Sequence, residues 1–253
     1  LVVRKEKERL RSYCHIATGN YNSRTAQLYT DLGLLSARPE LGQDLAELFN
    51  FLTGFSKQQN FRKLLVAPVS LRRRMQELIQ RETEHARAGR PAAIKAKMNA
   101  LVDPTIIALL YEASQAGVQI DLVVRGMCSL RPGLAGLSET IRVSSVIGRF
   151  LEHSRLFWFA NGGADEMYIG SADWMGRNLD RRVEAVVPIE DANLHARLLR
   201  LIDLYQQDNC SAWDMRSDGS FERRIPVEEN RAVQALLMTH WRGGLHDLAE
   251  TTA

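Results

Sequence analysis

His153 stands two positions before Arg155 and directly ahead of a strand-length aromatic run, Leu156-Phe157-Trp158-Phe159, and a second apolar run ends in Gly170-Ser171-Ala172-Asp173. An imidazole can act as acid, base or nucleophile near neutral pH, and a guanidinium two residues on can grip an anionic oxygen in a fixed fork. The same layout of apolar strand, polar tip, second strand and glycine followed by small polar residues occurs from Leu1 to Asn22, closing on Gly19-Asn20-Tyr21-Asn22. Counting back from Gly19 by the spacing between His153 and Gly170 reaches position 2, and a slightly longer hairpin places the matching histidine just upstream of Leu1. The polar side chains after each glycine, Asn20 and Asn22 in one copy and Ser171 and Asp173 in the other, can contribute hydrogen bonds around anionic oxygens. His15 occupies a second-strand position, matching Tyr168 or Ile169 in the other copy, so a supporting role is expected of it rather than attack.

Elements that would hold these groups follow from pattern. Leu1–Arg4 and Tyr13–Ile16 read as strands around a charged tip, Lys5–Ser12, and Asp44–Phe51 as a weak helix. Residues 53–60 have no periodicity and many breakers, which places a boundary near residue 60 and divides the chain into 1–60 and 61–253. Leu64–Val69 then reads as a buried strand, Ser70 as the N-cap of a helix reaching Glu84, and Asp103 with Pro104 as the start of another that Gly117 stops. Val118–Arg125 returns as a strand. Val146–Leu151, Leu156–Phe159 and Met167–Gly170 follow, with a turn at Asn161-Gly162-Gly163, helices near Asn193–Gln206 and Glu228–Trp241, and a frayed tail after Gly243. A helix between strongly apolar strands needs a crossover, so an α/β layer structure around a mixed sheet is expected.

With 45% apolar residues over 253 positions the chain can bury a sizeable core, and its longest apolar runs are strand-length. The formal charge of +3 permits an anionic partner without requiring one. Arg72-Arg73-Arg74 is expected to be a solvated helix face. Cys14, Cys128 and Cys210, odd in number and far apart, suit reduced thiols and a cytoplasmic setting, and the first residues do not have the form of a signal peptide.

The pairing of a His-x-Arg strand with a Gly-Ser strand resembles the phospholipase D superfamily, in which two similar halves each give one histidine. More specifically, the strings Tyr13-Cys14-His15-Ile16-Ala17-Thr18-Gly19-Asn20-Tyr21-Asn22, Leu28-Tyr29-Thr30-Asp31, Lys97-Met98-Asn99, Val124-Arg125-Gly126-Met127-Cys128-Ser129-Leu130 and the His153 region resemble the long, histidine-phosphorylating polyphosphate kinases. The resemblance implies a phospholipase D-like mixed-sheet α/β domain, preceded by the C-terminal part of a second such domain. It implies reversible transfer of the terminal phosphate of ATP to inorganic polyphosphate, with Mg2+ and through a phosphohistidine, by an oligomeric enzyme whose N-terminal domains and nucleophile lie outside this chain. This chain alone would then be inactive.

Three nucleotide contacts carry over by motif: Tyr29, Arg125 and His153, with His153 also catalytic. Lys95, Lys97, Arg177 and Arg181 would line a basic channel for polyphosphate, and Arg155 would hold phosphoryl oxygens. Asp173 and Glu184 would orient Arg177 or Arg182, and no carboxylate cluster has the look of a magnesium cage. A phospholipase D-type phosphodiesterase and a non-catalytic polyanion-binding module are the alternatives; the first normally has lysine where Arg155 stands.

Overall fold

Period-two alternation of apolar side chains builds the central sheet of the computed structural model, which describes residues 1–54, 60–226 and 229–243. The breaker-rich stretch at 55–59, the expected start of the last helix at Glu228 and the tail after Gly243 lie outside the described residues.

In chain order, β1 (Val2–Glu6) and β2 (Arg9–Ala17) form a hairpin, β3 (Tyr29–Thr30) is a two-residue strand, and β4 (Gly33–Ser36) pairs antiparallel with β2. Helix α1 (Pro39–Leu52) follows. Then come β5 (Leu65–Ala67), α2 (Leu71–Arg87), β6 (Ala93–Met98), α3 (Pro104–Gln115), β7 (Gln119–Val124), β8 (Ile141–Val146) and β9 (Leu151–Glu152). The chain continues through β10 (Leu156–Phe159), β11 (Glu166–Gly170), β12 (Glu184–Pro188), α4 (Ala192–Gln207), β13 (Ala212–Met215), β14 (Phe221–Arg223) and α5 (Val233–Gly243).

Nine strands form one sheet in the order β14-β13-β8-β7-β6-β10-β11-β12-β5. The pairs β6–β7 and β7–β8 are parallel and the others antiparallel, so the sheet is mixed, as expected. One face turns Ile94, Ala96, Met98, Phe157, Phe159 and Tyr168 toward Met75, Leu78 and Ile79 of α2 and Ile106 and Leu110 of α3. The opposite face turns Leu156, Met167, Ile169 and Val187 toward Ile16 of β2, Leu41, Leu45 and Leu48 of α1 and Ile202 of α4. The first 54 residues therefore share a core with the large sheet.

Several boundaries differ from the sequence reading. The hairpin tip is only Lys7-Glu8, with Lys7 at φ 52°, because β1 and β2 pair across Glu6 and Arg9. Pro39 at the first turn sets α1 earlier than Asp44. Ser70 precedes α2 but makes no side-chain cap; its hydroxyl accepts instead from the Val66 N–H at 3.2 Å. Residues 147–150 are not extended: Val146 ends β8 and Leu151 begins β9. Of the arginine run, Arg73 is exposed, but Arg72 is held by Asp103, at 2.7 Å, and by Asp180, at 2.6 Å.

Asp103 does cap α3, accepting from the Ile106 N–H at 3.0 Å while its second oxygen takes Arg72. Burial opposes its ionisation, yet the Arg72 and Ile106 hydrogen bonds hold its carboxyl below the usual 3.8. A group depressed in the fold contributes stability above its unfolded pKa and loses it as pH falls through the folded value. Asp103→Ala is expected to cost about 1–2 kcal/mol at neutral pH, read in urea unfolding, and to narrow the gap from wild type below about pH 4. A gap independent of pH would rule this out.

Candidate active site

Two short strands from distant parts of the chain bring the site together. Parallel pairing of β3 with β9 sets Tyr29 beside Leu151 and Thr30 beside Glu152, and the His153 N–H continues the ladder to the Thr30 carbonyl at 3.2 Å. Asp31 and His153 thus emerge side by side. His153 Nδ1 lies 2.8 Å from Asp31 Oδ1, which also accepts from Thr18 Oγ1 at 2.8 Å. The other ring nitrogen, Nε2, lies 3.1 Å from Arg155 Nη1. Since a guanidinium can only donate and a carboxylate only accept, these contacts select the tautomer with its proton on Nδ1. Tyr29 flanks the ring at 4.9 Å between centroids.

Arg155 is itself fixed. Its Nε and Nη2 each meet one oxygen of Asp173 at 3.1 Å, and Nη1 also donates to the carbonyls of His153 and Thr18. Asp173 also accepts from the Asn99 N–H at 2.7 Å. Its loop is anchored where the Val102 and Asp103 N–H groups bond the Trp174 carbonyl, both at 3.0 Å, and Trp174 stacks on Phe157. Arg125 joins the cluster through Asn99, donating to its Oδ1 at 3.0 Å, while Asn99 Nδ2 reaches the His153 carbonyl at 3.5 Å.

Both signature glycines answer to close approach. A Cβ at Gly19 would stand 2.6 Å from the Asp31 carboxyl carbon, and one at Gly170 would stand 2.7 Å from Val186 Cα, where β11 meets β12. Gly19 therefore clears the space that Asp31 needs to reach His153.

The structure gathers Tyr29, Arg125, His153, Arg155 and Asp173 of the sequence candidates around one ring. Asn20 is exposed and lines a neighbouring cleft of about 290 Å³ with Gly19, Tyr29 and Asp31. Asn22 serves its own turn, its Oδ1 accepting from Arg24 and Thr25. Ser171 bonds Glu184, which also takes Asn178 Nδ2 at 2.6 Å. Asp173 orients Arg155 rather than Arg177; Arg177 and Arg181 are exposed at the ends of a π-helical turn, Arg177–Arg181. Lys95 pairs with Asp203 at 2.5 Å, and Lys97 is buried against Glu152, so neither lysine is free to line a channel. His15 bonds Tyr21 through Nδ1 and lines the same cleft as Asn20.

Asp31, Asn99 and Thr18 were missed as site residues, although each lies in a string quoted for the family resemblance. No local pattern marks them: Asp31 meets His153 from 122 positions away.

A histidine clamped between a carboxylate and a guanidinium, on the rim of a nine-stranded mixed sheet, defines an α/β protein with a histidine-centred polar site. Residues 64–235 match the family described as polyphosphate kinase C-terminal domain 2, and residues 1–58 match polyphosphate kinase C-terminal domain 1. The chain belongs to the polyphosphate kinase family. It is 68% identical over 247 residues to the polyphosphate kinase of Parasynechococcus marenigrum, covering 97% of this chain and 35% of that protein. With the polyphosphate kinase of Streptomyces coelicolor it shares 53% over 241 residues, 94% of this chain and 32% of the other. The crystal structure of polyphosphate kinase from Porphyromonas gingivalis superposes with a TM-score of 0.90 at 35% identity, over 96% of this chain and 38% of that one. The chain spans about a third of the length of the curated relatives it matches.

Proposed function

We propose that this chain supplies the second histidine and part of the nucleotide and phosphate site of an ATP:polyphosphate phosphotransferase. The clamped His153, with Nδ1 on Asp31 and Nε2 beside Arg155, carries the reading. In the forward direction a histidine outside this chain attacks the γ-phosphorus; the nitrogen–phosphorus bond forms as the bond to the ADP oxygen breaks. His153, as an imidazolium with its second proton on Nε2, gives that proton to the departing oxygen, and Asp31 balances the imidazolium before transfer. The phosphoryl group then passes to the terminal oxygen of polyphosphate, and both steps reverse with ADP.

Tyr29 flanks the bound nucleotide and Arg125 neutralises its phosphates, while Arg155, held by Asp173 and two carbonyls, positions His153. Residues 1–60 would complete one catalytic half and 61–253 form the other. Among the described residues no three His, Cys, Asp or Glu side chains stand together as a metal site, so magnesium is assigned to the incoming ATP and no step is routed through it. The three cysteines are free, as suits a cytoplasmic enzyme; no described helix is long and apolar enough to cross a membrane. We take the working form to be a homo-oligomer of longer chains.

The test incubates this chain, and a form extended to the length of its relatives, with γ-labelled ATP and magnesium. Acid-labile label is expected on the long form and on polyphosphate made by it, and none on the 253-residue chain. Label on the short chain would overturn the assignment and point to His15 or His153 as nucleophile.

A further inference from the structure

The two neighbours of His153 are gripped by one buried ammonium. Lys97, 1% exposed, meets Glu152 Oε2 at 3.0 Å and donates to Ser154 Oγ at 2.8 Å. Its nitrogen lies 4.6 Å from the centre of the Tyr205 ring. Glu152 Oε2 also accepts from Thr30 Oγ1 at 2.8 Å, and Thr30 is the neighbour of Asp31. The same carboxylate thus ties down both members of the His153–Asp31 pair from below. Its other oxygen accepts from Gln234 Nε2 at 2.6 Å, and Gln234 belongs to α5. That amide closes a second ring, taking the Phe150 N–H at 3.0 Å and donating to the Phe150 carbonyl at 2.9 Å.

None of this faces a ligand: Glu152 and Ser154 are each 2% exposed and Gln234 is 8%. A buried lysine–glutamate pair contributes little net stability over apolar side chains of the same size. Yet every polar atom of Glu152 is used, and its partners Lys97, Thr30 and Gln234 lead to Ser154, to Asp31 and to α5. Burial pushes the Lys97 ammonium down, with Glu152 partly offsetting it. Burial works against the Glu152 charge too, but Lys97, Gln234 and Tyr205 together hold its carboxyl below the usual range.

We propose that Lys97, Glu152 and Gln234 are positioning residues that fix the His153–Asp31 hydrogen bond and make its geometry depend on the docking of α5. The catalytic meaning of that geometry rests on the function proposed above; the geometry itself is measurable without turnover. Imidazole-nitrogen NMR on the isotope-labelled 253-residue chain, with His153→Gln identifying the resonance, is expected to show one tautomer, protonated on Nδ1. Gln234→Met, which removes no charge, and the paired replacement Lys97→Met with Glu152→Met are expected to unfold cooperatively yet give His153 as a mixture of tautomers.

Placed in a full-length kinase, the same changes should lower kcat by up to about 100-fold with little change in the KM for ATP. A single Nδ1-protonated tautomer retained in Gln234→Met and in the paired variant overturns the proposal. Mixed tautomers with unchanged turnover uphold the positioning and sink the catalytic role assigned to His153. Since Gln234→Met tests the α5 link alone, failure of the paired variant to fold leaves that arm decisive.

Discussion

A full-length kinase carrying His153→Ala is expected to transfer phosphate from ATP to polyphosphate about 100- to 10,000-fold more slowly, the range over which a positioned proton donor acts. The loss should fall on kcat, because Tyr29 and Arg125 remain to bind the nucleotide. Asp31→Asn provides the graded comparison. An amide can offer its nitrogen as well as its oxygen to His153 Nδ1, so it neither holds the tautomer nor balances an imidazolium, and an intermediate loss is expected. Gly19 leaves room for the side chain in either form. Steady-state kinetics with polyphosphate as acceptor provide the measurement. His153→Ala activity within tenfold of wild type would remove this histidine from the chemistry and leave the site a binding surface.

The second large effect is on stability. Lys97→Met should destabilise the chain by about 3–5 kcal/mol, because it leaves the Glu152 carboxylate buried without its cation. For a chain of this size that lowers the thermal midpoint by about 6–20 °C. Adding Glu152→Met should recover part of the loss, since the unpaired charge is removed while the Gln234 amide and the Thr30 hydroxyl lose an acceptor. The sign with pH follows from Glu152. Its carboxyl is depressed in the wild-type fold, so the stability linked to its charge is present above its ordinary 4.5 and is lost as pH falls through the folded value. In Lys97→Met the carboxylate has lost the partner that depressed it, so the variant should move toward wild type as the pH is lowered below about 4.5. Calorimetry across that window checks both signs, and equal midpoints for single and paired variants would show that the ion pair contributes nothing particular.

The same lysine marks where sequence reading stopped. Asp103, Pro104 and Gly117 punctuate α3 by local rules, and the order of apolar runs led to a mixed sheet. Strand β6, at the centre of that sheet, presents no apolar run, because Lys95 and Lys97 interrupt its apolar residues. Only the tertiary structure shows why the alternation still holds: both lysines point to the α4 side, where Asp203 and Glu152 meet them. The family strings located His153, Arg155 and Asp173, but did not show that Asp173 holds Arg155 rather than Arg177. They could not reveal that Asp31 and Thr18 close on the ring from the first part of the chain, because nothing local constrains a pairing over 122 residues. Nor could a lysine be told apart as surface or buried before its acid was known.

The narrow seam between β3 and β9 also has a meaning during synthesis. At about 5–20 residues per second, the ribosome takes roughly 6–24 s to advance from Thr30 to Glu152. Ile16, Leu41, Leu45 and Leu48 are likewise made well before Leu156, Met167, Ile169 and Val187 of the sheet face that covers them. The nascent chain carries uncovered apolar surface through that interval, and His153 acquires its carboxylate only when the two ends of it are joined.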